Sequence, residues 1–334
     1  ALQIPLFWGV FKIAPASPEV EGLAHSYMQI RIFSAPAAIA LYGITGWLIA
    51  HERTKAIFML QLWMNGLNIG LDLLFVLQFN WGVQGVAIAT FLSEWSGLIL
   101  GLWLTRFGFA NGLWRNWAQV FDRVRLWRMA AVNGNIMLRS VLLQASFMTF
   151  LFIGAGFGDV TLAANQVLLQ FLHITAYALD GFAFSVEALV GQALGAQNRA
   201  AFRRSVYLSS FWGVIIVICL SALFWIIGGW GINVMTTAPD VRAEALEYLP
   251  WMVLAPLIGA ASWMLDGIFI GATRTRDLRN MMLISVAVYV TSLWLLLEPL
   301  GNHGLWLSLL VFYVARGVTL GWKYPALEAS VERA

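Results

Sequence analysis

Residues 162–195, LAANQVLLQFLHITAYALDGFAFSVEALVGQALG, hold two acidic side chains and no Lys or Arg in 34 positions. A helix rises 1.5 Å per residue, so this run reaches about 50 Å, well past the roughly 30 Å hydrocarbon core of a bilayer. The run therefore places the chain in a membrane. Its two carboxylates, Asp180 and Glu187, are two turns apart on one helix face. Carboxylates persist in hydrocarbon where they face a partner or a water-filled cavity. Two readings stand: an ion pair that joins helices, or a cation or proton site.

Composition agrees. Of 334 residues, 60% are hydrophobic and 11% charged, against about a quarter charged in a soluble domain. The fold class is an all-α polytopic membrane protein embedded in a lipid bilayer. A net charge of +3 does not point to nucleic acid, because in such a chain the placement of the basic residues carries the information. Cys219 is alone, and His25, His51, His173 and His303 show no metal-ligand spacing, so neither a metal nor a cofactor is expected.

Apolar runs between charged breaks predict a partial span at 1–13 and nine full ones, at 24–50, 56–79, 83–105, 129–154, 160–193, 205–229, 243–271, 280–298 and 304–323. Of 20 basic residues, 15 fall in one alternating set of connections and only Lys12 and Arg242 in the other, with Arg31, Arg139 and Arg316 inside spans. Positive charge marks the cytoplasmic side, so the larger set, and the C-terminus with it, is expected there. The segment 106–128, rich in Trp and Arg, reads as an amphipathic cytoplasmic linker at headgroup level.

The two sides of that linker repeat. SPEV at 17–20 matches APDV at 238–241, AHSY at 24–27 matches ALEY at 245–248, and RT at 53–54 matches RT at 274–275, all at one offset of 221. The second half has six spans and the first three with the tail of a fourth. The expectation is that about 100 residues precede Ala1 in an intact protein of twelve spans, two pseudo-symmetric lobes of six. Here the N-terminal lobe takes 1–105 (spans 3–6), the linker 106–128, the C-terminal lobe 129–323 (spans 7–12) and a cytoplasmic tail 324–334.

Several strings resemble the multidrug and toxic compound extrusion (MATE) transporters: LAANQVLLQ at 162–170, DGFAFSVEALVGQALGA at 180–196 and LDGIFIGATRTRD at 265–277. NGNIMLRSVLLQ at 133–144, TAYALDGFAFSVEA at 175–188 and LGNHGLWLSL at 300–309 are most similar to its DinF branch, the DNA-damage-inducible protein F relatives. The resemblance implies cation-coupled export of amphipathic and cationic organic compounds from the bacterial cytoplasm across the inner membrane, by a monomer whose lobes alternate in access. It also implies an N-lobe network in which Asn68 and Asp72 form the Asn-x-x-x-Asp pair and Thr90 the partner threonine. Asp266 matches an acidic position of other branches, while Arg139 stands near a glutamate that some of them carry.

Asn68 and Asp72 share a face. Burial favours the neutral form of a carboxyl and hydrogen bonds to the ionised form oppose it. A carboxyl so balanced loads a proton on one side and releases it on the other; the alternative is a hydrogen-bonded helix clamp. Glu94, one turn beyond Thr90, extends that network or stands as a structural carboxyl. In the C-lobe, Asp180, Glu187, Arg139 and Asp266 form a polar network, with Arg139 expected to pair with the central carboxylates at matching depth and Asp266 to snorkel, anchor a loop or bind an ion. Asn165, Gln166 and Gln170 either line a cleft or bond helix to helix. Exchange against protons is the leading reading. Sodium coupling by the same fold, or a lipid-precursor flippase of the related superfamily, is the alternative; a flippase for anionic lipids should show several cavity arginines. No constellation supports an enzyme.

Overall fold

In a computed structural model, residues 18–110, 112 and 115–332 are described, with side chains from residue 22 onward. The partial span at 1–13 and Lys12 lie outside them. The chain forms two compact units, Ala1–Val120 and Phe121–Ala334. Every extended element among the described residues is helical.

In the first unit, α1 (Pro18–Arg31) runs through a 3-10 turn into α2 (Ala35–Ala50), followed by α3 (Thr54–Asp72) and α4 (Gly82–Thr105). Helix α4 packs on the other three. Its sequence shows why: Gly85, Ala89, Ser93, Gly97, Gly101 and Thr105 recur every fourth residue and are buried, a stripe of small side chains that lets helices approach closely. Met64 of α3 fills the notch at Gly97, and Ile44 of α2 the one at Gly101. Directly after Asp72 the backbone widens into a π-helical stretch, Leu73–Gln78, before the turn at Asn80, φ 55°. A short helix, α5 (Trp117–Val120), closes the unit.

The second unit begins with α6 (Arg123–Ala155), which starts inside the expected linker because the Asp122 carboxylate accepts from the backbone N–H groups of Val124 and Arg125 at 2.8 and 3.2 Å. Then come α7 (Asp159–Gly195), α8 (Arg199–Met235), α9 (Pro239–Gly271) and α10 (Thr275–Ala329). Helix α9 is the central element, packed against α7, α8 and α10. Its interior prolines, Pro250 and Pro256, leave it continuous. Helix α10 loses helical geometry at Gly301, φ 55° and ψ −130°, a conformation only glycine adopts without strain, and is thus two spans end to end.

Among the described residues, eight helices are long and apolar enough to cross a membrane, and the break at Gly301 makes the last of them two. The protein is a multi-pass membrane protein. Large apolar side chains on its outside, such as Trp225, Ile226 and Trp294, are lipid-facing in that setting, and Trp81, Trp127 and Trp322 sit near helix ends.

The helices of the second unit meet through glycine. Gly267 and Gly271 of α9 lie against the main chain of Ala183 and Glu187 on α7: a methyl group added at Gly271 would stand 2.3 Å from the Glu187 carbonyl oxygen. Large side chains fill the remaining volume, with Phe150, Trp306, Phe312 and Tyr313 fully buried around Met252 and Leu305.

Candidate functional site

In the first unit, α3 and α4 bring together Asn68 and Thr90, which the family resemblance had paired. Asn68 Nδ2 donates to Thr90 Oγ1 at 3.3 Å, and Thr90 Oγ1 donates back to the Val86 carbonyl at 2.9 Å. Asp72 stands one turn beyond Asn68. Its Oδ1 is buried with no hydrogen-bond partner among the described residues. An unmade hydrogen bond to a buried charged oxygen is costly. The π-helical stretch begins at the next residue; such insertions are rare, and frequently occur at functional sites. Neither the bare oxygen nor the π-turn has a signature in residue spacing.

Glu94 does not extend this network as expected. Arg31, from the end of α1, holds it with two hydrogen bonds, Nη1 to Oε2 at 2.8 Å and Nη2 to Oε1 at 2.9 Å, and also donates to Ser34 at 2.6 Å. The reading of Glu94 as a structural carboxyl is the one the geometry favours. Arg31 had been noticed only as a charge inside a span, which was the available signal.

In the second unit the expected pairing is corrected. Arg139 of α6 donates to Asp266 of α9 rather than forming an ion pair with Asp180 or Glu187, and Arg316 of α10 donates to the same Asp266 oxygen, Oδ2, at 2.5 Å. Asp266 is 5% exposed and Arg316 1%, so the carboxylate neither snorkels nor anchors a loop. Depth along the span had matched Arg139 to Asp180 and Glu187, and the direction in which the helices turn their side chains brings it to Asp266 instead. Asp180 is exposed on the unit's surface, and Glu187 is half-buried with its backbone against Gly271.

Asn165, Gln166 and Gln170 separate. Asn165 is fully buried and joins helices: it donates to Asn302 Oδ1 at 2.8 Å, while its Oδ1 accepts from Asn302 Nδ2 at 3.1 Å and Trp306 Nε1 at 2.9 Å. Gln166 and Gln170 are exposed one turn apart on the opposite face of α7. No group of three or more His, Cys, Asp or Glu able to hold a metal ion occurs among the described residues.

Comparison with known proteins places this architecture. The MatE family model matches residues 136–295. DNA damage-inducible protein F of Escherichia coli (strain K12) is 37% identical over 328 residues, an alignment that takes in 96% of this chain and 70% of that protein. The chain belongs to the MATE family of multidrug efflux transporters, which are not enzymes. More distant MATE relatives include Protein DETOXIFICATION 43 of Arabidopsis thaliana, 24% identical over 94% of this chain, and human Multidrug and toxin extrusion protein 1, 22% identical over 94%. The chain spans 59% and 57% of the length of those two. Among solved MATE structures, a Vibrio cholerae transporter in its bent form superposes with a TM-score of 0.85 at 19% identity, covering 99% of this chain and 76% of that one. An outward-facing multidrug resistance MATE transporter gives 0.87 at 15% identity, with 99% and 75% covered. At such identities these two likenesses speak to the fold alone.

Proposed function

We propose that this MATE protein exports amphipathic and cationic organic compounds in exchange for protons, by alternating access of two pseudo-symmetric lobes, and that Asp72 is the group that carries the proton. The observation behind the coupling role is the buried, unpartnered Oδ1 of Asp72 at the start of a π-helical stretch. Protonation there removes a charge from a low-dielectric setting and changes which packing of the surrounding helices is preferred. Asn68 and Thr90, bonded to each other one turn away, supply polar surroundings for the ionised form.

Backbone features support the two-lobe reading. Helices begin at Pro18 and Pro239 and at Thr54 and Thr275; Glu52 and Thr273 share φ 53°, and Asn80 and Gly301 share φ 55°. Each pair is 221 residues apart, the offset of the sequence repeat. In this reading 1–105 belongs to the N-terminal lobe, 106–128 to a cytoplasmic linker, 129–323 to the C-terminal lobe and 324–334 to a cytoplasmic tail, in the plasma membrane of a bacterial cell.

Proteoliposomes loaded with ethidium test the coupling. A proton gradient should drive transport in the parent protein, and Asp72→Asn should abolish it with ethidium binding and thermal stability retained. Normal transport by Asp72→Asn, or transport driven by a sodium gradient alone, would sink the proton reading.

A further inference from the structure

We propose that the C-terminal unit contains a binding site for a small anionic group, a carboxylate on an amphipathic molecule or a free halide, where Arg139, Asp266 and Arg316 meet. Two guanidinium groups, from α6 and α10, converge on one carboxylate oxygen from α9. The groups in contact therefore sum to one positive charge in excess, inside apolar spans, with side-chain exposures of only 14% for Arg139 and 1% for Arg316. An excess charge in such surroundings is costly unless it finds a counter-charge.

The donors give an independent argument. Each guanidinium presents five N–H donors in a planar fork. Here Nε of Arg139, and both Nε and Nη1 of Arg316, are buried without a hydrogen-bond partner among the described residues, as is the hydroxyl of Tyr313, whose ring lies 5.8 Å from the Arg316 guanidinium. The junction thus holds more buried donors than the described residues supply acceptors, and the acceptor left over, Asp266 Oδ1, is bonded to none of them. A neutral ligand would satisfy donors and leave the charge, whereas a cation would add to it. An anion answers both. Asp180 is the nearest rival for the role. It lies within electrostatic reach of Arg139, yet it forms no ion pair with it and is exposed.

This site is separate from the coupling role of Asp72, and its test needs no ion gradient, so a failure here leaves the proton reading untouched. Binding is measured on the purified full chain in detergent micelles by fluorescence titration, in chloride-free buffer, with dansylglycine and with its uncharged analogue dansylglycinamide. The parent protein should prefer the carboxylate at least tenfold. Arg139→Gln, which keeps the Arg316–Asp266 pair, should bring that preference close to one. Asp266→Asn, which removes the competing internal carboxylate, should raise it several-fold. Millimolar chloride displaces the probe if the natural occupant is a free halide and fails to do so if it is an organic carboxylate; either result retains the anion site. Equal affinity for the two probes in the parent protein, or an unchanged preference in a folded Arg139→Gln variant, overturns the proposal.

Discussion

Arg31 and Glu94 form a two-pronged ion pair between the end of α1 and the middle of α4, at 2.8 and 2.9 Å, with side-chain exposures of 27% and 15%. Paired in this way, Glu94 is committed to holding two helices together. Its position one turn from Thr90 had made it a candidate for the proton network, and the guanidinium takes it out of that role.

Removing one partner of this pair strands the other. Glu94→Leu or Arg31→Met alone should lower stability by about 1–3 kcal/mol, while the double variant Arg31→Met with Glu94→Leu should recover most of the loss, because replacing both charges by apolar groups removes the stranded ion. Thermal unfolding of the four proteins in detergent measures this as a double-mutant cycle. Additive losses would show that the pair contributes nothing as a unit.

The contact between α7 and α9 predicts a sharp contrast between glycines. Gly271→Ala sets a methyl group against the Glu187 carbonyl and should cost about 1–3 kcal/mol or more, since backbone cannot move aside as a side chain can. Gly134→Ala, on the open side of α6 with nothing within 4 Å, should be neutral or stabilise by about 0.5–1 kcal/mol through helix propensity. Melting temperatures of the two variants against the parent decide the matter.

Buried amides behave differently from charges. Asn165→Leu removes both bonds that Asn165 exchanges with Asn302 and strands the indole N–H of Trp306, and should cost about 1–3 kcal/mol, although Leu is close in volume and more apolar. Adding Trp306→Phe to that variant should cost less than it does in the parent, one stranded donor being removed with the ring. Unfolding midpoints of the single and double variants report the difference.

Much of this architecture is written in the sequence at low resolution. Arg53 and Arg274 before the turns, Pro239 at a helix start and the Pro299–Gly304 stretch bound the spans to within a few residues, because charge, proline and glycine act locally. Asn68 and Thr90 were legible through the family resemblance, and only the placing of Asn68 and Asp72 on one face follows from their spacing. Arg139 shows where legibility ends: depth pointed to Asp180 and Glu187, and the choice of Asp266 depends on how α6 and α9 are rotated about their axes. The π-helical stretch after Asp72 also escapes sequence reading, since LLFVLQ carries no spacing that marks it, and it packs against α4.

Orientation has its own test. Cysteine placed at Gly112 or after Trp322 should react with a membrane-impermeant maleimide only in inverted vesicles, and cysteine at the exposed Thr237, between α8 and α9, only in intact cells, in a background with Cys219 replaced. Labelling of position 112 from outside would reverse the assignment.

Gly267 and Gly271 set the main chain of α9 directly against that of α7 at Ala183 and Glu187, so slippage of one helix past the other would have to break backbone contact at both points. The two therefore travel as a single strut. Any flexing of the C-terminal unit during a transport cycle is pushed to places where the backbone is less firmly bonded, at Pro250 and Pro256, which lack an N–H donor within the continuous α9, and at the break at Gly301 within α10. Stiffness and bending are thus assigned to different stretches of the same two helices, and the outer part of the unit can move while the inner seam stays shut.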